Sequence, residues 1–514
     1  MNRVWSIATG LLFSLVVATA SFSQETTATA EQRAASTKLL EATLELGGEE
    51  VSVDDVEVQA WTRTPIQASR IVRVGGQYLV QIEETGQVFG GRSEEPGRVR
   101  VNPWRSAESV VAELALPPLP QAPGGFEVRS LMLSTQQGIR VTGDPTGRWL
   151  YVLGIYGTVD RYDTQTGEKI VWLEAADYLR DTSTLAIVQG LCFDDERRMY
   201  LCVNQADHTL NPVINRVTIY RSAPVEHGDD TKPALEPWLE TQYVWGGHHY
   251  NHGVANIAQG PDGMMYVGSG SRTDANEDFD EPNIADGGEV EITACMWRLD
   301  PDEEQPTLNL HARGLRNAYG FDWDAQGRLW ATENGPNLNP PGELNVVEAG
   351  KHYGFPYRFS DWPRNPYPHV GDPPAGLTFE LPVINVGPDA GGGAEKPLST
   401  FDAHSSPNGL AYLDEAFGPE LDGALAVVRF GNQLGRRTVG YDLLLVRPLD
   451  ELADDGRRQV TVTRWMDGLA RPLDVYAAPT GRLYILEHAR EVAGRGSRAA
   501  ASATGRLLEL RPLP

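Results

Sequence analysis

Apolar and polar positions alternate along most of the chain in a recurring strand–turn–strand unit. One copy is IRVTGDPTGRWLYVLGI (139–155) and another is GLCFDDERRMYLCVN (190–204). Three more are NIAQGPDGMMYVGSG (256–270), GFDWDAQGRLWATENG (320–335) and DVYAAPTGRLYILEHA (474–489), with a looser sixth, GLAYLDEAFGPELDGALAVVRFG (409–431). In each, a strand meets a turn carrying Gly or charge, then a second strand rich in Leu, Tyr, Trp and Val. That composition suits a pleated, half-buried surface. The turns fall near 147, 197, 263, 327, 420 and 481, roughly 50 to 95 residues apart. Repeats at that period mark propeller blades with loop insertions, and six units of four strands predict an all-β, six-bladed β-propeller. A sandwich would not produce a repeat of this length.

Upstream of the repeat, residues 45 to 110 read as short strands. RIVRVGGQYLVQI predicts a hairpin with Gly75-Gly76 as its two-residue turn. Residues 25–37, ETTATAEQRAAST, read as a polar tether. At the N-terminus Arg3 precedes an apolar run from Trp5 to Val17, followed by Ala18-Thr19-Ala20, the pattern of a secretory signal peptide. The run is short for a membrane span and no Cys follows it, so cleavage and release to the periplasm or exterior are expected, with no membrane span left afterwards. The expected organisation is a signal peptide over 1–23, tether and small β-rich extension over 24–125, and the propeller over 126–514.

The 514 residues include 53 Gly and 35 Pro, which favours many tight turns over long helices. A net charge of −26 disfavours nucleic acid or an anionic membrane surface as partner, since both call for a basic face. Cys192 and Cys202 flank FDDERRMYL, a hairpin centred near Arg197. In an oxidising compartment they are a candidate disulfide, with two buried thiols as the alternative, because cross-strand bridges need particular geometry. Cys295 has no sequence partner. The acidic stretch TDANEDFDEPNIADGGEVE (273–291) starts like an EF-hand loop, but its sixth position is Phe279 and its twelfth Ala285, so it reads as a solvated insertion.

Residues 246–253, GGHHYNHG, hold His248, His249 and His252, three of ten histidines. Spacings of three and four would align rings on one helix face, as in zinc proteins. Gly246, Gly247 and Gly253 break such a helix, and a strand begins near Val254. The histidines therefore belong to a loop entering a blade, of the kind that surrounds a propeller's central channel.

Two segments carry more specific information: NHGVANIAQGPDGMMYVGSG (251–270), and GLRNAYGFDWDAQGRLWATENGPN (314–337) followed by GELNVVEAGKHYGFPY (342–357). Together they resemble the soluble glucose/sorbosone dehydrogenase family, periplasmic six-bladed propellers that use pyrroloquinoline quinone (PQQ) and calcium. The resemblance runs in order from about 126 to 510. It implies that His252, eight residues before Gly260, is the general base. A neutral imidazole near its own pKa suits removal of a hydroxyl proton. His248 and His249 have no counterpart in the pattern.

The resemblance further implies that Arg316 and Asn317 grip the quinone's carboxylate and carbonyl oxygens, with Arg471 (in LARPLDV) and Arg429 adding positive charge. A guanidinium fork matches a carboxylate, and a tricarboxylate needs several cations. The backbone carbonyls of Gly335 and Pro336 are implied to bind the calcium that touches PQQ, with Asn334 an adjacent oxygen donor. Glu343 and the backbone of Tyr353 match a second, structural calcium site, near which Asp361 replaces a family Asp.

Several positions depart from the pattern. Leu473 stands for the second Arg of the late motif, Asn251 for the Asp before the base, and Ser271 for the Asp after the blade strand. The aromatic shelf for the quinone is not recognisable near Phe401 and His404, and AHSSPNGLAY looks like the sorbosone branch. These departures bear on cofactor affinity and glucose specificity. The expected function is an exported dehydrogenase oxidising a sugar or polyol by hydride transfer to PQQ with calcium assistance. Its electrons would pass to an external acceptor, since no Cys-x-x-Cys-His is present for an attached haem. The alternatives are a calcium-dependent, lactonase-like propeller hydrolase and a non-catalytic carbohydrate- or protein-binding propeller.

Overall fold

A computed structural model describes residues 30–45, 48–60, 65–74, 77–84, 86–95, 97–106, 117–246, 251–276, 287–362, 369–393, 395, 397–432, 438–489 and 505–513. The chain divides into two compact units, Met1–Leu116 and Pro117–Pro514. The signal-peptide reading and the turn Gly75-Gly76 lie outside the described residues, as do His248, His249 and most of the acidic insertion. Among the described residues no helix is long and apolar enough to cross a membrane.

In the first unit a helix, Ala30–Glu45, takes up residues 30–37 of the stretch read as a tether. Ala, Glu, Gln, Arg and Leu dominate it, and these are strong helix formers. The helix is followed by a six-stranded sheet. Ala68–Val74 and Gln77–Ile82 form the expected hairpin, with Val74 opposite Gln77. Glu57–Ala60 lies at the other edge, parallel to Arg98–Ser106. Val58, Ile71, Val80, Ile82, Val99 and Val101 form its core.

The second unit contains six sheets in succession, and each starts with one of the repeats. Blade 1 is Gly138–Gly143, Trp149–Gly154, Val159–Asp163 and Lys169–Leu173. Blade 2 is Ala186–Phe193, Arg198–Asp207, Ile214–Pro224 and Leu235–Val244. Blade 3 is Val254–Gln259, Met265–Ser269, Cys295–Leu299 and Asn309–Arg313. Blade 4 has three strands, Ala318–Trp323, Leu329–Glu333 and Glu343–Val347. Blade 5 runs Pro407–Tyr412, Leu425–Arg429, Asp442–Leu452 and Arg458–Asp467, and Ile384–Pro388 adds a parallel outer strand. Blade 6 comprises Pro472–Ala478, Arg482–Glu487 and Arg506–Pro512, completed by Phe126–Leu133 from the start of the unit. The first strands of the blades contact one another in a closed ring. This is the expected six-bladed propeller.

Local chemistry explains the blades. In five of the blades the turn after the first strand uses a residue with positive φ, supplied by Gly147, Gly263, Gly327 and Gly481, and by Arg197 in blade 2. Asp144, Asp194 and Asp324 accept a backbone N–H across their turns at 2.8–2.9 Å, which fixes the hairpin. Between each adjacent pair of blades lies an apolar layer, such as Trp172, Val188 and Leu201 between blades 1 and 2. At the axis, Arg140 of blade 1 stacks 3.9 Å from the Tyr319 ring centre. Its guanidinium donates to Gln189 O at 2.9 Å, to Tyr319 O at 2.8 Å and to Asp474 at 3.4 Å, pinning blades 2, 4 and 6 to blade 1.

The disulfide is not formed: Cys192, Cys202 and Cys295 are all buried free thiols. In the hairpin register Cys192 faces Tyr200 and Cys202 faces Gly190. The two cysteines are thus diagonal neighbours, about 7–8 Å apart, beyond the span of an unstrained bridge. Burial pushes all three thiols well above their ordinary pKa, Cys202 and Cys295 to about 12.

Candidate active site

The six first strands all begin on one face of the propeller, and all six carry a register shift near that end. The shifts fall between Gly138 and Arg140, Val188 and Gly190, Val254 and Ile257, Ala318 and Phe321, Pro407 and Leu410, and Pro472 and Asp474. Bulges bend a strand and re-aim its side chains. Here they gather Gln189, His252, Asn317, Asn408 and Arg471 at the same end of five neighbouring blades.

His252 is held by Ser271. Its backbone N–H donates to Ser271 O at 2.9 Å, and its Nδ1 lies 3.2 Å from that oxygen and 3.1 Å from Ser271 Oγ. The Ser271 hydroxyl donates its proton to Thr273 O at 2.8 Å. Both Ser271 oxygens therefore act as acceptors toward the ring, which puts the imidazole proton on Nδ1 and the lone pair on Nε2. A Cβ on Gly270 would lie 2.5 Å from His252 Cβ and 3.5 Å from Asn317 Oδ1, so this glycine lets the two side chains approach. Asn204 clamps the start of the strand, accepting from Val254 N and donating to Val254 O, each at 2.9 Å.

Arg316 and Asn317 are buried one blade further on. Arg316 pairs with Asp274 at 2.7 Å, the two side chains only 4% and 6% exposed, and donates to Asn334 O at 3.0 Å. Its Nε also reaches Asp274 O at 3.3 Å. These three bonds use three of the five guanidinium N–H groups. The Asp274 carboxylate also accepts Asn337 N, at 3.1 Å to each oxygen, so it ties Arg316 to the Gly335-Pro336 turn. Gly335 packs so closely that a Cβ would meet Phe359 at 2.9 Å and Pro340 at 3.0 Å. Asn334 donates to Asn408 Oδ1 at 2.9 Å, while its own Oδ1 is buried without a hydrogen-bond partner. An orphaned acceptor beside this turn fits a bound cation.

Glu343 faces Glu333 directly across the blade 4 sheet, and both are buried. Asn345 Nδ2 bridges them, at 2.9 Å to Glu343 and 3.3 Å to Glu333. Ser360 N donates to Glu343 at 2.5 Å, and Arg316 N donates to Glu333. Burial raises both carboxyls above the usual range, Glu343 to about 7, and each is disfavoured further by a neighbouring carboxylate. Asn345 Oδ1 and Ser360 Oγ lie buried and unpartnered in the same surroundings. This oxygen-rich set suits a hard cation. Tyr353 is anchored nearby, its hydroxyl donating to Val346 O at 2.7 Å. Asp361 is engaged by Ser399 and lies 3.6 Å from Arg457. Among the described residues no group of three or more His, Cys, Asp or Glu side chains is gathered as metal ligands.

Arg429 is fully buried and bidentate to Asp442, at 2.8 and 2.6 Å, with Asp402 at 3.1 Å. Arg471 donates to the carbonyls of Gly431 and Asn432 at 3.2 and 3.1 Å and lies over the Phe430 and Tyr441 rings. Leu473 is buried against the layer between blades 1 and 2. Phe401 is buried in the blade 4–5 layer. A cavity of about 530 Å³ opens on the blade 2 side of His252, with Leu185, Gln189, Asp207, His208 and Trp245 among its lining residues.

Sequence reasoning reached His252, Asn317, Arg316 and the Gly335-Pro336 turn, and the structure brings these together around Gly270 and Asp274. It missed Asp274, Gln189, Asn408 and Glu333. Glu333 had a signal, since a charged residue ends the otherwise apolar strand LWATE. Asp274 lay in the acidic stretch expected to be a solvated insertion, but the start of that stretch is buried: Asp274 is 4% exposed and pairs with Arg316, 42 positions away, a partner no local pattern marks.

The sequence pattern of the glucose/sorbosone dehydrogenase family matches residues 156–493. Among proteins of curated function, none matches the sequence. Solved structures similar in fold include the PQQ-bound aldose sugar dehydrogenase of Streptomyces coelicolor, 20% identical over 76% of this chain and 99% of the other, at a TM-score of 0.49. A glucose dehydrogenase is 15% identical over 74% and 99%, at 0.51. The holo PQQ domain of pyranose dehydrogenase from Coprinopsis cinerea is 14% identical over 77% and 98%, at 0.50. The family pattern spans well over half of the chain and includes five of the six blades' opening strands, and on that ground this chain belongs to the glucose/sorbosone dehydrogenase family.

Proposed function

We propose that the chain is an exported dehydrogenase that oxidises a carbinol or lactol carbon of a sugar or polyol, using PQQ and calcium. The observation that carries this reading is His252, a Nδ1-protonated imidazole at the mouth of a cavity. PQQ, when bound, supplies a hydride acceptor, and calcium the Lewis acid that polarises it. In this reading His252 Nε2 removes the substrate's hydroxyl proton, and Ser271 steadies the imidazolium that results. Asn317, the remaining N–H groups of Arg316, and Arg471 hold the cofactor's oxygens. Arg429 acts at a distance, through charge already shared with Asp442 and Asp402. Asn334 Oδ1 with the carbonyls of Gly335 and Pro336 would hold one cation. Glu333, Glu343, Asn345, Ser360 and the Tyr353 backbone would hold another. Electrons leave to an external acceptor.

One observation favours a second reading. Arg316 and Arg429 come with their own carboxylates, and Leu473 offers no charge, which suits a calcium-dependent hydrolase without a quinone. Purified apoprotein given PQQ and calcium separates the two. The dehydrogenase reading expects saturable PQQ binding by fluorescence quenching and sugar-dependent dye reduction, cut at least ~100-fold by His252→Ala. No PQQ binding at micromolar concentration, or lactone hydrolysis with calcium alone, would overturn it.

A further inference from the structure

Two histidines stand at corresponding places on opposite walls of the ring. In blade 3, His252 precedes the first strand and Ser271 follows the second, and His252 N donates to Ser271 O at 2.9 Å. Blade 6 stands opposite blade 3 in the closed ring. There Arg471 takes the place of His252 and His488 that of Ser271, with His488 N donating to Arg471 O at 3.0 Å. Cross-strand neighbours of this kind set their side chains side by side. Both side chains approach Phe430 of blade 5. The Arg471 guanidinium carbon lies 5.0 Å from that ring's centre, and the His488 ring centre 5.9 Å from it.

His488 Nδ1 lies 2.9 Å from Gly138 O, at the start of blade 1. A carbonyl only accepts, so the ring proton is on Nδ1 and Nε2 carries a lone pair. The side chain is partly exposed, and among the described residues nothing is hydrogen-bonded to Nε2. Blade 1 presents the Gly138 carbonyl to the ring, blade 5 the Phe430 face and blade 6 the Arg471 guanidinium. Glu487, next in the same strand, is committed to Arg506 at 2.8 Å and to Ala470 N at 2.7 Å. Among the described residues no carboxylate acts on the ring. Burial holds its pKa below the ordinary histidine value, and Arg471 pushes the same way against the Gly138 hydrogen bond. The imidazole is therefore neutral at neutral pH, beside a site where Leu473 brings no charge and Arg316 and Arg429 already have carboxylate partners.

We propose that His488 takes a proton from solvent onto Nε2 when a polycarboxylate binds at the centre, and so supplies beside Arg471 the cation that Leu473 does not. The proposal rests on the dehydrogenase reading for the identity of the anion, PQQ. His488 is then a binding residue whose charge appears only with its ligand, so the empty centre does not hold two adjacent cations. A carboxylate about 4 Å from an imidazolium raises its pKa by ~3 units at an effective dielectric of 20 and by ~1 unit in water. Arg471 and desolvation take back part of this, which leaves a rise of ~1–2 units and a 10–100-fold dependence of affinity on the protonation of His488.

The test reads protons rather than turnover. Apoprotein with calcium is titrated calorimetrically with PQQ at about pH 7 in phosphate, HEPES and Tris, whose different ionisation enthalpies report the protons exchanged. The native protein is expected to take up ~0.5 proton per PQQ bound, and its Kd to rise ~10–100-fold as pH goes from about 5.5 to about 9. His488→Gln should abolish the uptake and flatten the pH dependence at the weak end. His488→Arg, with a permanent charge, should abolish the uptake and restore tight binding across the range. His252→Gln should leave the uptake in place, which separates the two imidazoles. In a second arm the His488 ring, assigned through its backbone, is titrated by NMR in native protein, so this arm stands if His488→Gln does not fold. Its pKa should lie below ~6.5 in apoprotein and rise by ~1–2 units with PQQ. An uptake unchanged in His488→Gln, or a ring whose pKa does not rise with PQQ, overturns the proposal. PQQ that fails to bind overturns the dehydrogenase reading and this proposal together, whereas PQQ that binds without proton uptake overturns this proposal alone.

Discussion

Ser271 stands where the family pattern has an acid, and replacing it with Asp tests the assignment of His252 directly. In the native chain Nδ1 lies 3.1 and 3.2 Å from the two neutral oxygens of Ser271. Ser271→Asp would put a carboxylate against the same N–H. Two unit charges about 4 Å apart interact by ~4 kcal/mol at an effective dielectric of 20 and by ~1 kcal/mol in water. One pKa unit is ~1.4 kcal/mol, so the imidazolium would gain ~1–3 units. Ser271 is fully buried, which rules out the water limit, while desolvation of the new carboxylate takes back part of the gain. An upward shift of ~1–2 units is expected. The assay is the pH dependence of kcat/KM for dye reduction, whose acid limb reports the base in the free enzyme, alongside NMR titration of the His252 ring in apoprotein. Ser271→Ala leaves the backbone oxygen as acceptor, so its acid limb should stay within ~0.5 unit while the rate falls. An acid limb that does not move in a normally folded Ser271→Asp protein refutes the argument, because the titrating base would then be some group other than His252.

Four further outcomes are expected. Stripping calcium with a chelator should lower Tm, and calcium at a hundred times its Kd should restore about 2.7 kcal/mol. In the stripped protein the raised carboxyls of Glu333 and Glu343 make the folded state bind protons more tightly than the unfolded one. Their stabilisation is complete below the ordinary Glu range near pH 4.5 and is lost as pH rises through the raised folded-state values, that of Glu343 being about 7, so Tm should fall as pH rises from 4.5 through 7 in chelator and much less with calcium, by scanning calorimetry. Gly270→Ala should displace His252, lowering kcat ~100-fold or more with a smaller effect on Tm. Because the three cysteines are buried thiols, reductant should leave Tm unchanged, and a thiol reagent should react only after denaturation, with three groups per chain.

The blades were legible because each is specified within about twenty residues. Alternation, an Asp that accepts across the turn and a residue tolerating positive φ all sit close together, as at Asp144–Gly147 and Asp324–Gly327. Closure of the ring was not. Phe126 pairs with Pro512, and no local pattern in Phe126–Leu133 marks it as the outer strand of the last blade. The N-terminal helix shows the reverse error. A polar, Ala-rich stretch without apolar periodicity reads as a tether, yet its propensity is helical and Leu40 gives it one buried anchor.

Within the site, residue type was legible and partner was not. Arg316 and Arg429 were expected as positive charges for a bound anion. Arg429 lies directly opposite Asp442 in its hairpin, a pairing that strand register alone implies, whereas Arg316 meets Asp274 across blades. Both charges are largely balanced before any ligand arrives, and the pin at the axis repeats the pattern with Arg140 and Asp474. In the proposed reading an anion at the centre would therefore gain less from these arginines than their number suggests, and a cation at the Gly335-Pro336 turn would contribute correspondingly more to holding it. Ser271 carries the complementary lesson. Read as a lost acid, it looks like a weakened base. In the fold its carbonyl and hydroxyl, the latter oriented by Thr273, fix the same tautomer that an acid would, and what the chain gives up is the charge that would stabilise the imidazolium rather than the geometry that makes Nε2 a base.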